Sequence, residues 1–392
     1  MEELPMTEKQ LKMRRLGTQA SYLAACALHN TVAVVDGEWD LEGLYKFCKF
    51  HSVTAIVAMA LEEVWKEYPA EPEIMQKWRQ ARDKAIRKNV LLNAERERIL
   101  AYMESIGCWY MPLKGSLLQF DYPRFGMRQM SDNDILCDPE KCGALREFMV
   151  ASGYRCNEFD QGHHDEYSRQ PVYNYEFHRA LFRKEEAPLL ASYYADIHHR
   201  SLKDAGNQYG YHLSWSDFYI YLLAHAHNHY QESGIGIRFL MDVAVFREKH
   251  GAEIDVSHVE GELAKLGALE FEHCCRTLAD LLFSTPRIIG EVSDEQMAAL
   301  DVFFSSGAFG TVDQLLQKSY EKHKTQQNGS RFTYLLRRAF PPRELLGVMY
   351  PAVRKNGWLV PFVWVYRLIR SLLCSPRRVL MELKRFARKN QE

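Results

Sequence analysis

The period of the apolar residues changes twice along this chain, and the two changes restrict it to helices, a small sheet, and helices again. From Thr7 to about Ser105 apolar residues recur at three and four, as in Leu11, Leu16, Tyr22, Leu23 and Cys26, which is amphipathic-helix spacing. Glu73 to Met103, rich in Lys, Arg, Glu and Ala, reads as one long solvated helix. β-prone residues replace this pattern at Cys108-Trp109-Tyr110-Met111, and strand-like segments follow at Asp134–Cys137, Tyr154–Cys156, Val172–Phe182 and Ser192–His198. Helical pieces separate them, one after Gly115 and one from Pro139 to Ala151, where proline in the first turn is a start signal. After Trp215 the helical period returns over Asp217–Tyr230, Arg238–His250, His258–Leu266, Glu270–Phe283, Asp294–Ser305 and Thr311–His323, and a polar linker at Gln326–Ser330 precedes a basic tail.

A chain of 392 residues holds two or three domains at roughly 100–200 residues each. The period changes divide it into an N-terminal helical domain (1–105), an α+β core (106–205), a C-terminal helical domain (206–325), and a linker with a basic amphipathic helical tail (326–392). Net charge is −1 overall, so the total names no partner, but Leu346–Glu392 carries ten Lys/Arg and two Asp/Glu, a net of +8 that leaves −9 on the rest. Nine cysteines without a CxxC pair suit a reduced, cytoplasmic protein. The start lacks the basic and apolar regions of a signal peptide. The longest apolar run, Trp358 to Cys374, is broken by Pro361, Arg367 and Arg370, so no transmembrane segment is expected.

The residues with the most specific chemistry lie between Leu113 and Leu136. Leu113-Lys114-Gly115-Ser116 sets a glycine and a hydroxyl at a strand-to-helix junction, where backbone N–H groups suit a phosphate. Asp132-Asn133-Asp134 then runs into the apolar Ile135-Leu136. In a strand, residues two apart share a face, about 7 Å apart along the backbone. Two hard oxygen ligands on one face are what Mg²⁺ needs when it also holds a nucleotide's phosphates, and Mn²⁺ could replace it. In Asn174–Phe182, Glu176 and His178 alternate with Tyr175 and Phe177 and so face the polar side of a half-buried strand. Glu176 would be a third carboxylate for in-line phosphoryl or nucleotidyl transfer, with Asp196 in Asp196-Ile197-His198-His199-Arg200 the alternative.

Other charged residues fit around this set. Lys114 and Arg128 could neutralise triphosphate charge, although Arg128 could instead pair with Asp132 and order the loop. His225 and His229 share a helix face, and with Arg238 and Asp242 they read as a polar seam closing one wall of a cleft. His163-His164-Asp165 reads as a solvated loop, and Cys137 and Cys142 as structural.

Together, Leu113–Ser116, Tyr122-Pro123, Arg128, Asp132–Leu136, Gly153-Tyr154, Glu176–Phe182, Asp217–Tyr221, His225, His229, Gly234–Arg238 and Asp242 resemble the bacterial "uncharacterised nucleotidyltransferase" family of the polymerase-beta-like superfamily. The resemblance is close over roughly residues 100–250. It implies a small mixed-sheet nucleotidyltransferase core flanked by helical domains, with Mg²⁺ on Asp132, Asp134 and Glu176. Its NTP, ATP among the candidates, would lie near Lys114, Gly115, Ser116, Arg128, His178, His229, Arg238 and Asp242. Two positions depart from the family pattern: Asn133 stands where an aliphatic residue is frequent, and Asn228 where a lysine commonly precedes the histidine. The activity implied is transfer of a nucleoside monophosphate to an acceptor that is a small molecule, a protein side chain or an RNA end. The alternative is a catalytically silent interaction protein of the same fold, docking on a partner or an anionic membrane surface through its basic tail.

Overall fold

The computed structural model describes residues 7–35, 39–288, 292–308 and 310–311, then 331–343, 356–374 and isolated positions around them. The chain divides into two compact units, Met1–Gly310 and Thr311–Glu392.

The first unit opens with helices α1 (Glu8–Leu28), α2 (Leu41–His51), α3 (Thr54–Val64) and α4 (Pro72–Ser105). Thr7 and Gln10 form a capping box that satisfies the first free N–H groups of α1, and Pro72 starts α4. Strand β1 (Tyr110–Pro112), the single turn α5 (Gly115–Leu118) and β2 (Asn133–Cys137) follow, then α6 (Cys142–Ala151), β3 (Arg155–Glu158), β4 (His164–Arg169) and β5 (Tyr173–His178). The five strands lie in the order β1-β2-β5-β4-β3. Only β2 and β5 run parallel, which makes the sheet mixed and the fold α+β. Short helices α7 (Pro188–Tyr193) and α8 (Ile197–Arg200) and the small hairpin β6 (Leu202–Lys203) and β7 (Tyr211–His212) lead to α9 (Trp215–Glu232), α10 (Ile237–His250), α11 (Val256–Lys265), α12 (Leu269–Phe283) and α13 (Asp294–Ser306).

The period-two alternation of the strands sorts their side chains into two environments. Ile135, Cys137, Tyr175 and Phe177 point into a core closed by Leu92, Ile99 and Met103 of α4 and by Leu145 and Met149 of α6. Asp134, Leu136, Glu176 and His178 therefore lie on the opposite face. There a larger core joins the early helices to the late ones, and α1 packs directly on α12 and α13. Arg14 of α1 donates two hydrogen bonds of 2.7 Å to Asp301 of α13, across 287 residues.

Two segments differ from expectation. Ser192–His198 is not a strand: Pro188 opens α7, and α8 takes Ile197–Arg200. His163-His164-Asp165 is not a solvated loop, because His164 begins β4, which is hydrogen-bonded on both sides, and Asp165 is buried against Arg179. In the second unit, α14 (Arg331–Ala339) and α15 (Val360–Cys374) are described. Most of the expected helix Thr311–His323, the linker at Gln326–Ser330 and the tail beyond Cys374 lie outside the described residues.

Candidate functional site

Parallel pairing of β2 with β5 sets Asp134 directly beside Glu176, and Leu136 beside His178. His164 of β4 pairs with His178 from the other side. Since cross-strand partners share a face, the register alone brings a carboxylate pair and two imidazoles together. One oxygen each from Asp134 and Glu176 and one nitrogen of His178 lie within 4.8 Å of one another. His178 Nε2 is 3.0 Å from Asp134 Oδ1 and 3.6 Å from Glu176 Oε2. These groups line a cavity of about 360 Å³ together with Asp132, Lys114, Gly115, Arg128, His229, Arg238 and Asp242.

Of the expected residues, Asp132 and Ser116 stand apart. Asp132 precedes β2 and lines the cavity, but its carboxylate accepts a hydrogen bond from the Ser131 hydroxyl at 2.8 Å and lies outside the tight donor group. Ser116 is buried, does not line the cavity, and donates its hydroxyl to the Leu113 carbonyl at 2.6 Å. Asp196 is exposed at the start of α8 and is not in the cavity wall either.

The turn after β1 positions Lys114. Its backbone sits at φ +48°, a region costly for any residue with a Cβ, and its Nζ lies 3.4 Å from Asp134 Oδ2. The neighbouring Gly115 has a steric role, since a Cβ there would strike the Arg128 guanidinium. Arg128 does not pair with Asp132. Its Nε and Nη2 donate to Asp242 at 2.8 and 2.9 Å, and the Tyr122 hydroxyl donates to the same carboxylate at 2.7 Å. The loop between Arg128 and Asp132 is held by α4: Asn89 donates to the Arg128 carbonyl and accepts from the Met130 N–H, and Lys88 Nζ donates to the Ser131 carbonyl at 2.7 Å.

Two histidines not assigned from the sequence, His163 and His164, complete the wall, and His225 lines it beside His229 as the expected polar seam requires. Arg183 Nε donates to His163 Nδ1 at 3.1 Å, so the proton of neutral His163 sits on Nε2 and faces His164 Nδ1 at 3.4 Å. Burial and the neighbouring His178 pull His163 down to about 3 and His164 to about 4. His229 is held near 4 by burial and Lys114, so these imidazoles are neutral at pH 7.

The charged groups are coupled across the cavity. Burial disfavours the Asp134 carboxylate, but Lys114 and His178 outweigh it and hold it below its usual range. Burial likewise opposes charge on Lys114, and Asp134, followed by Tyr221, Asp132 and Glu176, more than offsets it. Glu176 goes the other way, pushed up to about 8 by burial and by the negative charges of Asp134 and Asp132. Burial, with Arg128 beside it, pulls the Arg238 guanidinium below its usual range. A carboxyl that burial, and after it two neighbouring carboxylates, drive to hold its proton sits where a divalent cation would supply the missing positive charge. The carboxylate oxygens of Asp134 and Glu176 suit Mg²⁺ or Mn²⁺, with His178 hydrogen-bonded to Asp134 beside them.

A family model described as "Uncharacterised nucleotidyltransferase" matches residues 37–284, more than half of the chain. No curated protein and no solved structure matches it.

Proposed function

We propose, because this chain belongs to the uncharacterised nucleotidyltransferase family, that the cavity binds an NTP with a divalent ion and transfers its nucleoside monophosphate to an acceptor hydroxyl. The observation that carries this reading is the convergence of Asp134, Glu176 and His178 within 4.8 Å in a cavity that also holds Lys114 and Arg238. Asp134 and Glu176 would hold Mg²⁺ or Mn²⁺, with Asp132 turning from Ser131 to join them. Bound there, the ion would offset the negative charge of the triphosphate and of the acceptor oxygen that attacks it.

The chain's own residues have separable tasks. Lys114 and Arg238 bring positive charge to the triphosphate, and Arg128, engaged by Asp242, shapes the wall against Gly115. His178 Nε2 orients Asp134 through its 3.0 Å hydrogen bond. In the reaction the acceptor oxygen forms a bond to the α-phosphorus, the bond from that phosphorus to the α–β bridging oxygen breaks, pyrophosphate leaves with the electron pair, and the acceptor's proton passes to solvent. Positioning and electrostatics supply the rate.

The test is to incubate the full chain with each α-labelled NTP and Mg²⁺ or Mn²⁺, following pyrophosphate release and the fate of the label, with Asp134→Asn as control. Metal-dependent release lost in the control is the expected result. If no NTP binds with either metal in calorimetry, the reading fails, and binding without any transfer would favour the silent interaction protein.

A further inference from the structure

Helix α15 presents a continuous apolar stripe. Phe362, Val365, Tyr366, Ile369 and Leu373 fall at intervals of three, one, three and four residues, and Trp358 precedes them by one turn in the 3₁₀ segment Gly357–Leu359. At about 100° per residue they occupy one face, and all are exposed, Trp358 by 69% and Leu373 by 77%. Another side of the helix is already engaged within its own unit: the Trp364 indole N–H donates to the Pro341 carbonyl at 2.9 Å, and its ring packs edge-on against Phe340. Within the stripe Tyr366 also meets Tyr350 edge-on, ring centroids 6.3 Å apart, but the stripe as a whole stands exposed.

We propose that this stripe docks α15 in the plane of an anionic lipid surface. A helix of 15 residues is about 22 Å long at 1.5 Å per residue, short of the roughly 30 Å hydrocarbon layer. No described helix is long and apolar enough to cross a membrane, so a membrane-bound α15 lies along the interface. The residue types suit that depth, since Trp and Tyr favour the headgroup boundary. Charge selects the lipid. Exposed Arg370 borders the stripe, and Arg377, Arg378, Lys384, Arg385, Arg388 and Lys389 follow in sequence against Glu382 and Glu392. Two copies meeting through this face would set the arginines of a helix that has no acidic residue against each other and repel, whereas anionic headgroups attract them.

The test uses the full chain with vesicles of phosphatidylcholine alone and of phosphatidylcholine mixed with phosphatidylglycerol. Co-sedimentation with the mixed vesicles only, weakening as salt rises, is expected. Phe362→Asp with Ile369→Asp should reduce binding at least tenfold by removing the apolar contribution, and Arg370→Glu with Arg377→Glu and Arg378→Glu should do so by removing charge. Far-UV circular dichroism and thermal unfolding serve as the folding controls. If the apolar variant does not fold, quenching of tryptophan fluorescence by brominated lipid in the unmodified chain reads insertion directly. No binding to mixed vesicles at low salt overturns the proposal. So does a concentration-dependent dimer that the apolar variant dissolves without any vesicle binding, or binding of an RNA oligonucleotide, again without vesicle binding, that this variant leaves intact.

Discussion

Arg128 grips Asp242 at two points, Nε to Oδ1 at 2.8 Å and Nη2 to Oδ2 at 2.9 Å, and so ties the loop before β2 to helix α10. Both side chains are under a tenth exposed, and a buried pair that loses one partner leaves an uncompensated charge. Asp242→Ala is expected to destabilise the protein by about 3–5 kcal/mol, measured by denaturant unfolding. A loss within about 0.5 kcal/mol, as at ordinary surface sites, would show that the pair does not hold the wall.

Gly115→Ala should act on the same pair from the opposite side. The added methyl would meet the Arg128 guanidinium, and overpacking of this kind costs about 1–3 kcal/mol. Combined with Asp242→Ala the two losses should fall short of additivity, because the pair can be broken only once. Full additivity in a double-mutant cycle would separate the two positions.

Asp132 and Asp134 should part company in the metal-free protein. Removing one of several crowded carboxylates relieves repulsion, but Asp134 is bonded to His178 and neutralises Lys114. Asp134→Ala is therefore expected to cost about 3 kcal/mol, while Asp132→Ala, whose hydrogen bond is a half-buried one to Ser131, should stay within about 1 kcal/mol. Both should abolish metal-dependent nucleotide binding in calorimetry, and retention of that binding by either would remove it from the ligand set.

The pH dependence follows from Glu176. Its carboxyl is raised from 4.5 to about 8 in the folded protein, so between those values the folded state holds a proton that the unfolded state has released. Its contribution to stability is full below about 4.5 and falls as pH rises to about 8. Glu176→Gln should flatten that slope in unfolding titrations. Metal binding at pH 7 should expel this proton, so calorimetry in two buffers of different ionisation enthalpy should show release that is absent from Glu176→Gln. Equal heats in both buffers for the unmodified protein would contradict the assignment.

The carboxylates could be read from the sequence because their placement depends on local rules. Asp132 stands just before an apolar strand and Asp134 near its start, Glu176 and His178 alternate with Tyr175 and Phe177, and period two does the rest. Strand β4 could not be read this way. His164-Asp165-Glu166-Tyr167-Ser168-Arg169 has little strand propensity, and it is extended because β3 and β5 hydrogen-bond it on both sides. His163 and His164 were hidden with it, although a polar alternation at His164, Glu166 and Ser168 is the signal that could have exposed them. At Ser192–His198 the aromatics suggested a strand, and Pro188, which starts a helix a few residues earlier, carried the stronger information. The partner of Arg128 lay beyond any local pattern, since Asp242 is 114 residues away.

The packing of α1 on α12 and α13 has a consequence for synthesis on the ribosome. Helix α1 can pack on α2 and α3 as soon as they are made, but α12 and α13, which cover the rest of it, begin at Leu269 and Asp294. At about 5–20 residues per second the gap is on the order of tens of seconds, during which the nascent chain carries the α12- and α13-facing side of that helix unprotected. A stalled or truncated product would keep that surface bare and attract a holdase chaperone, which makes the last helices of the first unit the point of release into the native state.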